Sequence, residues 1–286
     1  MHLPDNYGIA FLITTLAGLS TAIGGCIAFI VKPDNLKTLS VGLGFSAGVM
    51  IFLSFMDILP AAEEMLTVNF PNKVEWLVLC GFIFGMIIAA VIDYFIPDHI
   101  DTDMIFGKKT HTSPIKHHMV SEEVLHSHHG DAYAINSKLK RAGIFTAIAI
   151  CVHNFPEGMA TFLASTQDLT LGISVGIAIA IHNIPEGIAV ALPVYHATGK
   201  RRYAMLYSSL SGLTEPVGAL IGVFLFQLFV PNILMGLLFA AVAGIMIYIS
   251  FDTLLPLAKE YGNWHLSMVG IMSGMLFMWV TVILLH

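Results

Sequence analysis

The fold class this sequence predicts is an all-α polytopic membrane protein with eight transmembrane helices, and three observations predict it. The composition is 56% hydrophobic with only 11% charged residues, well above the roughly 45–50% apolar content usual in soluble domains. Apolar runs long enough to cross a ~30 Å hydrocarbon layer, which takes about 20 helical residues, recur along the whole chain. The basic residues are also one-sided. Lys32, Lys37, Lys108, Lys109, Lys116, Lys138, Lys140, Arg141, Lys200, Arg201, Arg202 and Lys259 all fall in one alternating set of connections, which leaves only Lys73 for the other. By the positive-inside rule that first set is cytoplasmic and both termini lie outside. An added or lost helix would scramble this asymmetry.

The first run, 7–31, follows MHLPDNY. That opening has no basic residue and its apolar run is too long for a signal peptide, so 7–31 is a true span. The second run, 38–62, carries Asp57 and ends just before Glu64, and the third is 75–97. Residues 98–140 interrupt the series with no helical periodicity and hold seven of the 13 histidines: His99, His111, His117, His118, His126, His128 and His129. They are expected to form a flexible cytoplasmic loop, within a single transporter domain of residues 1–286, that catches or senses metal. Spans four and five, 141–164 and 170–195, carry HNFPEG and HNIPEG 29 positions apart, at His153 and His182. Spans six to eight are 202–230, with SGLTEPVG around Glu215, then 233–258 and 266–285.

A second self-similarity spans five helices. Residues 47–64, AGVMIFLSFMDILPAAEE, match 243–260, AGIMIYISFDTLLPLAKE, at ten of 18 places. Both this pair and the HNxPEG pair are shifted by an odd number of spans, so each implies copies crossing the membrane in opposite directions. Spans 1–3 and 6–8 then form an inverted repeat around spans 4 and 5, an arrangement common in transporters, whose substrate sites lie near the midplane.

On a helix, i and i+4 share a face, so His153 stacks with Glu157, and Asn154 joins at i+3 from the glutamate. His182, Asn183 and Glu186 repeat the pattern. Pro156 and Pro185 lack an N–H and bend each helix beside these groups, freeing the carbonyls of Val152 and Ile181. Asp57, Glu157, Glu186, Glu215 and Asp252 all lie within apolar runs. At about 2.5–3.5 kcal/mol each for an acidic residue at a bilayer centre, the five approach the whole stability of a typical fold. They therefore need protons, metal ions or a wet cavity. Imidazoles and carboxylates without thiolate suit zinc, iron(II), cobalt and manganese, and are poorly matched to magnesium or calcium, which prefer all-oxygen shells. A lone buried histidine is more often a packing residue than a ligand, but two copies of His-Asn-x-Pro-Glu favour metal.

A metal-dependent intramembrane hydrolase is the competing reading, with the same ligands holding zinc to activate water. No HExxH string is present, however, and no nucleophile or phosphate loop stands in a recognisable pattern. Cys26, Cys80 and Cys151 show no paired or metal spacing and are expected to be small buried packing residues. No nucleic-acid partner is expected.

These strings resemble the ZIP family of divalent-metal transporters, in particular its ZupT-like bacterial branch. The resemblance covers nearly the whole chain, and the paired HNxPEG strings are its most specific part. It implies a multi-pass protein of the bacterial cytoplasmic (inner) membrane that is not an enzyme and takes up zinc, with iron(II), manganese, cobalt and cadmium as further candidate ions. It also implies a two-metal site. His153, Glu157, His182 and Glu186 would form the first position. Asn154, Asn183 and Glu215 would form the second, with Glu157 and Glu186 bridging. Met50, Asp57 and Glu64 look like the family's pathway residues, although Met50 and Met246 fit equally well as core. A homodimer is open to the chain through the small-residue face of Gly172 and Gly176, which packing within one subunit explains as well.

Overall fold

All regular structure among the described residues, 6–32, 35–96, 122–228 and 232–285 of a computed structural model, is helical. The helices are α1 (Tyr7–Gly25), α2 (Ile27–Ile30), α3 (Leu36–Leu53), α4 (Leu59–Thr67), α5 (Val74–Phe95), α6 (Glu122–Gln167), α7 (Leu169–Thr198), α8 (Arg201–Gly212), α9 (Thr214–Leu228), α10 (Asn232–Tyr248), α11 (Leu255–Tyr261) and α12 (Trp264–Leu285). One π-helical segment, Ser54–Ile58, joins α3 to α4, and another, Ile249–Leu254, joins α10 to α11. Both precede a proline near the start of the next helix, Pro60 or Pro256. A proline cannot donate to the carbonyl four residues back, and a wider turn absorbs the missing bond. Ser54 and Ser250 cover further carbonyls there, each donating to the methionine four residues before it, Met50 or Met246, at 2.8 Å.

Among the described residues, six helical stretches are long and apolar enough to cross a membrane: Tyr7–Ile30, Leu36–Thr67, Val74–Phe95, Leu169–Thr198, Ile233–Tyr261 and Trp264–Leu284. Their outward faces are apolar, with Leu16, Trp76, Phe84, Ile177 and Trp279 exposed, as expected where lipid replaces water as the solvent. The two remaining expected spans differ for local reasons. Span four lies within α6, whose apolar part is interrupted by His153, Asn154 and Glu157. Span six is not one helix: it breaks at Leu213 into α8 and α9, of 12 and 15 residues. Pro216 cannot donate to the Gly212 carbonyl, so the ladder stops and restarts there.

Further corrections concern the loop and the cysteines, and the small-residue face takes the second of its two readings. Residues 98–121 lie outside the described ones, but α6 already begins at Glu122, inside the segment read as an aperiodic loop. Extending a formed helix adds a bond per residue without a new nucleus, so weak periodicity is no barrier. Cys26 and Cys80 are exposed and Cys151 is half-buried; an apolar thiol facing lipid does not need burial. A Cβ on Gly172 would meet Ser165, and one on Gly176 would meet Ile13, so this face packs within the subunit.

The packing repeats with its elements exchanged. α1 packs along α7 as α9 packs along α6, and α3 packs along α12 as α10 packs along α5. The glycine contacts fix the correspondence. A Cβ on Gly187 would run into the Thr21 backbone, and one on Gly158 into the Glu215 backbone. Likewise Gly85 abuts Ala241 as Gly274 abuts Phe45, and Gly244 abuts Phe82 as Gly48 abuts Ile271.

Candidate metal centre

Two helix-end signals, one at each end of α7, set the hairpin that brings the paired strings together. Asp168, the single residue between α6 and α7, accepts bonds from the N–H groups of Thr170 (2.7 Å) and Leu171 (3.0 Å). It thereby caps α7 and folds it back along α6. α7 ends at Gly199, whose φ of +65° suits glycine and whose N–H reaches the Tyr195 carbonyl at 2.7 Å.

The hairpin crosses the two strings. His153 Nε2 lies 2.8 Å from Glu186 Oε1 on the neighbouring helix, and 3.4 Å from Glu157 Oε2 on its own. His182 Nε2 lies 3.1 Å from Glu157 Oε1. One ligand atom from each of His153, Glu157, His182 and Glu186 can be chosen so that all four lie within 4.8 Å of one another, and all four residues are buried. A divalent cation held by nitrogen and oxygen at ~2.0–2.2 Å fits a cluster of that span.

Beside it lies a second group. Glu215, in the first turn of α9 where the helix dipole favours an acid, accepts a hydrogen bond from Asn183 Nδ2. Asn183 Nδ2 also donates to the Ala17 carbonyl at 3.0 Å, and Asn154 Nδ2 to the Ser211 carbonyl at 3.1 Å. Each amide thus donates to a backbone carbonyl, Asn183 to the Glu215 carboxylate as well, and leaves its oxygen free. Asn154 Oδ1, Asn183 Oδ1, Glu157 Oε2, Glu186 Oε2 and Glu215 Oε2 are buried without hydrogen-bond partners. Buried oxygens without donors are costly unless something positive joins them.

The chain matches the family model for the ZIP zinc transporter over residues 7–281. It belongs to the ZIP family. Among ZIP relatives, a protein named zinc transporter ZupT from Streptococcus mutans is 48% identical over 276 residues, covering 96% of this chain and 97% of the relative. Proteins of the same name from Campylobacter jejuni and Akkermansia muciniphila are 48% and 45% identical, with 96% and 98% of each relative covered.

The sequence-predicted residues divide into two sets. The seven expected ligands, His153, Asn154, Glu157, His182, Asn183, Glu186 and Glu215, are all buried where α6, α7 and α9 meet. The expected pathway residues are not gathered with them. Met50 is fully buried in the core, while Asp57, on the first π segment, and Glu64, on α4, are exposed. Asp252 is exposed on the second π segment. The sequence reading missed the contribution of α1: the Ala17 carbonyl and Thr21 border the site, and the one signal for them, a weak likeness of AGLSTAIG (17–24) to SGLTEPVG (211–218), went unused.

Proposed function

We propose that this ZIP protein takes up zinc into the cytoplasm through the buried cluster of His153, Glu157, His182 and Glu186. The observation that carries the reading is the crossed pairing of those four side chains within 4.8 Å. Asn154, Asn183 and Glu215 form an adjacent second position, with Glu157 and Glu186 bridging. With three carboxylates, one dication leaves a charge of −1 and two leave +1, so the site can hold either number. The nitrogen and oxygen donors also suit iron(II), manganese, cobalt and cadmium.

The membrane is the bacterial inner membrane. The chain crosses it eight times, α6 and the α8–α9 pair supplying the fourth and sixth crossings, with both termini outside and 98–140 in the cytoplasm. The exchanged packing of α1 with α9 and of α3 with α10 supports an inverted repeat. Met50, Asp57 and Glu64 serve the path on the outer side, and a dimer, if formed, uses a face other than that of Gly172 and Gly176. Membership of a transporter family and the absence of an HExxH string in the sequence weigh against the hydrolase.

The test is radiolabelled zinc uptake by cells lacking their own zinc importers, with each candidate ion added as competitor. Zinc accumulation that is lost in His182→Ala at equal membrane expression is expected. Accumulation unchanged by that substitution would overturn the reading.

A further inference from the structure

The repeat that relates α1 to α9 assigns Thr21 a place in the site. Three contact pairs fix the register. Gly18 and Gly212 abut each other's carbonyls across the axis. Gly24 abuts the Ile184 carbonyl as Gly218 abuts that of Phe155, and Gly187 abuts Thr21 as Gly158 abuts Glu215. The shift is 194 positions between the outer members (18 to 212, 21 to 215, 24 to 218) and 29 between the inner ones (155 to 184, 158 to 187). The polar contacts obey the same rule. His153 pairs with Glu186 as His182 pairs with Glu157, and Asn154 donates to the Ser211 carbonyl as Asn183 donates to that of Ala17.

Under this relation Thr21 is the counterpart of Glu215. A Cβ on Gly212 would meet Thr21 Cβ and Oγ1 at 2.9 Å, and one on Gly18 would meet Glu215 Cβ at 3.1 Å, so the two side chains leave their helices at matching places. The relation fails in one respect: Asn183 bonds to Glu215, whereas Thr21 Oγ1 and Asn154 Oδ1 are both buried without hydrogen-bond partners.

Among the described residues this lack is shared with Thr146 on α6 but not with other buried helical threonines near the site. Thr14 and Thr161 bond back to the carbonyl four residues earlier, at 3.0 and 2.9 Å. For Thr21 that carbonyl belongs to Ala17, which receives the Asn183 amide. The fully buried hydroxyl is thus left for something else.

We propose that Thr21 is a ligand-positioning residue of the second ion position, standing opposite Glu215. It holds, through its hydroxyl, a water carried by a divalent cation that Asn154 and Glu157 also face. Threonine is two bonds shorter than glutamate, and one water makes up that difference. A hydroxyl rather than a fourth carboxylate also keeps the site at three negative charges, so that a doubly occupied site has a net charge of +1 and repels its second ion toward release. The inference rests on the zinc reading of the cluster.

The experiment uses the full-length protein in detergent, with zinc binding by calorimetry and thermal unfolding with and without zinc, for wild type, Thr21→Val, Thr21→Ser and Glu186→Ala. Wild type is expected to bind two zinc ions. In Thr21→Val the weaker of the two should lose about 10–100-fold in affinity, as for other groups that support metal ligands through an outer shell, while the tighter is unchanged. Without zinc, Thr21→Val should unfold at the same temperature as wild type or higher, because it removes an unpartnered buried hydroxyl. Its stabilisation by zinc should be smaller. Thr21→Ser should match wild type. Two wild-type affinities in Thr21→Val, or a single zinc ion in wild type, overturn the proposal. So does a loss of stability without zinc that Thr21→Ser shares, since that marks a packing role. Zinc binding by Glu186→Ala equal to wild type overturns the cluster itself, and the two failures are thereby told apart.

Discussion

His153 Nε2 and Glu186 Oε1 are 2.8 Å apart although they stand 33 positions apart in the chain and on different helices. The reciprocal pair, His182 and Glu157, closes the same square from the other side. Each helix therefore completes the other's half of the cluster, and neither HNxPEG copy is a site alone. Substituting one histidine should remove most of the zinc affinity rather than half of the sites. His153→Ala and His182→Ala are each expected to weaken the tighter zinc ion by about 100-fold or more, since four donors fall to three. Calorimetry showing one unaltered high-affinity ion in either variant would mean that the copies bind independently.

Protonation competes with metal for the same donors. An imidazole must be neutral to bind zinc, and its ordinary pKa of about 6.5 lies in the accessible range. Lowering the pH adds protons to the zinc-free state, so affinity falls in the acid direction. Between pH 7.5 and 5.5 the tighter zinc ion should weaken by at least about tenfold for each histidine that must release a proton. A flat profile would place the binding groups elsewhere.

The two asparagines make unequal bonds and should differ in the stability they confer. Asn183→Ala leaves both the Ala17 carbonyl and the Glu215 carboxylate without this donor, whereas Asn154→Ala strips only the Ser211 carbonyl. A buried acceptor left without its donor costs about 1–3 kcal/mol, more when charged. Thermal unfolding of the zinc-free protein should therefore rank wild type above Asn154→Ala and Asn154→Ala above Asn183→Ala. Equal losses would contradict the carboxylate's dependence on Asn183.

Close backbone approach gives a further check. An alanine methyl at Gly158 or Gly187 would collide with the backbone of Glu215 or Thr21, while one at Gly8 meets nothing within 4 Å. Overpacking typically costs about 1–3 kcal/mol when side chains can yield, and here the neighbours are main chain. Gly158→Ala and Gly187→Ala should sharply reduce folded yield, and Gly8→Ala should be neutral or slightly stabilising. Size-exclusion profiles of the three variants distinguish these outcomes.

Much of the site was legible because its chemistry is written in contiguous strings. The i, i+4 spacing of His153 and Glu157 sets them on one face, and the exact recurrence 29 residues later supplied the partner helix. The sequence could not show that the pairs would cross, since that depends on Asp168 folding α7 back in one register. Nor could it reveal α1, because a carbonyl such as that of Ala17 has no residue signature and the AGLSTAIG likeness is short. The break of span six was written at Pro216 but hidden by the apolar run around it. Cysteine exposure was misjudged because a lipid-facing surface and a core call for the same residue types.

Zinc transport through proteoliposomes is the measurement on which the functional reading stands or falls. Vesicles holding a zinc-sensitive dye and the purified chain should brighten when zinc is added outside. Vesicles carrying Glu186→Ala at equal protein content should stay at the level of empty liposomes. Brightening that survives the loss of Glu186, or its absence from wild-type protein that binds zinc stoichiometrically, would contradict transport through the paired site.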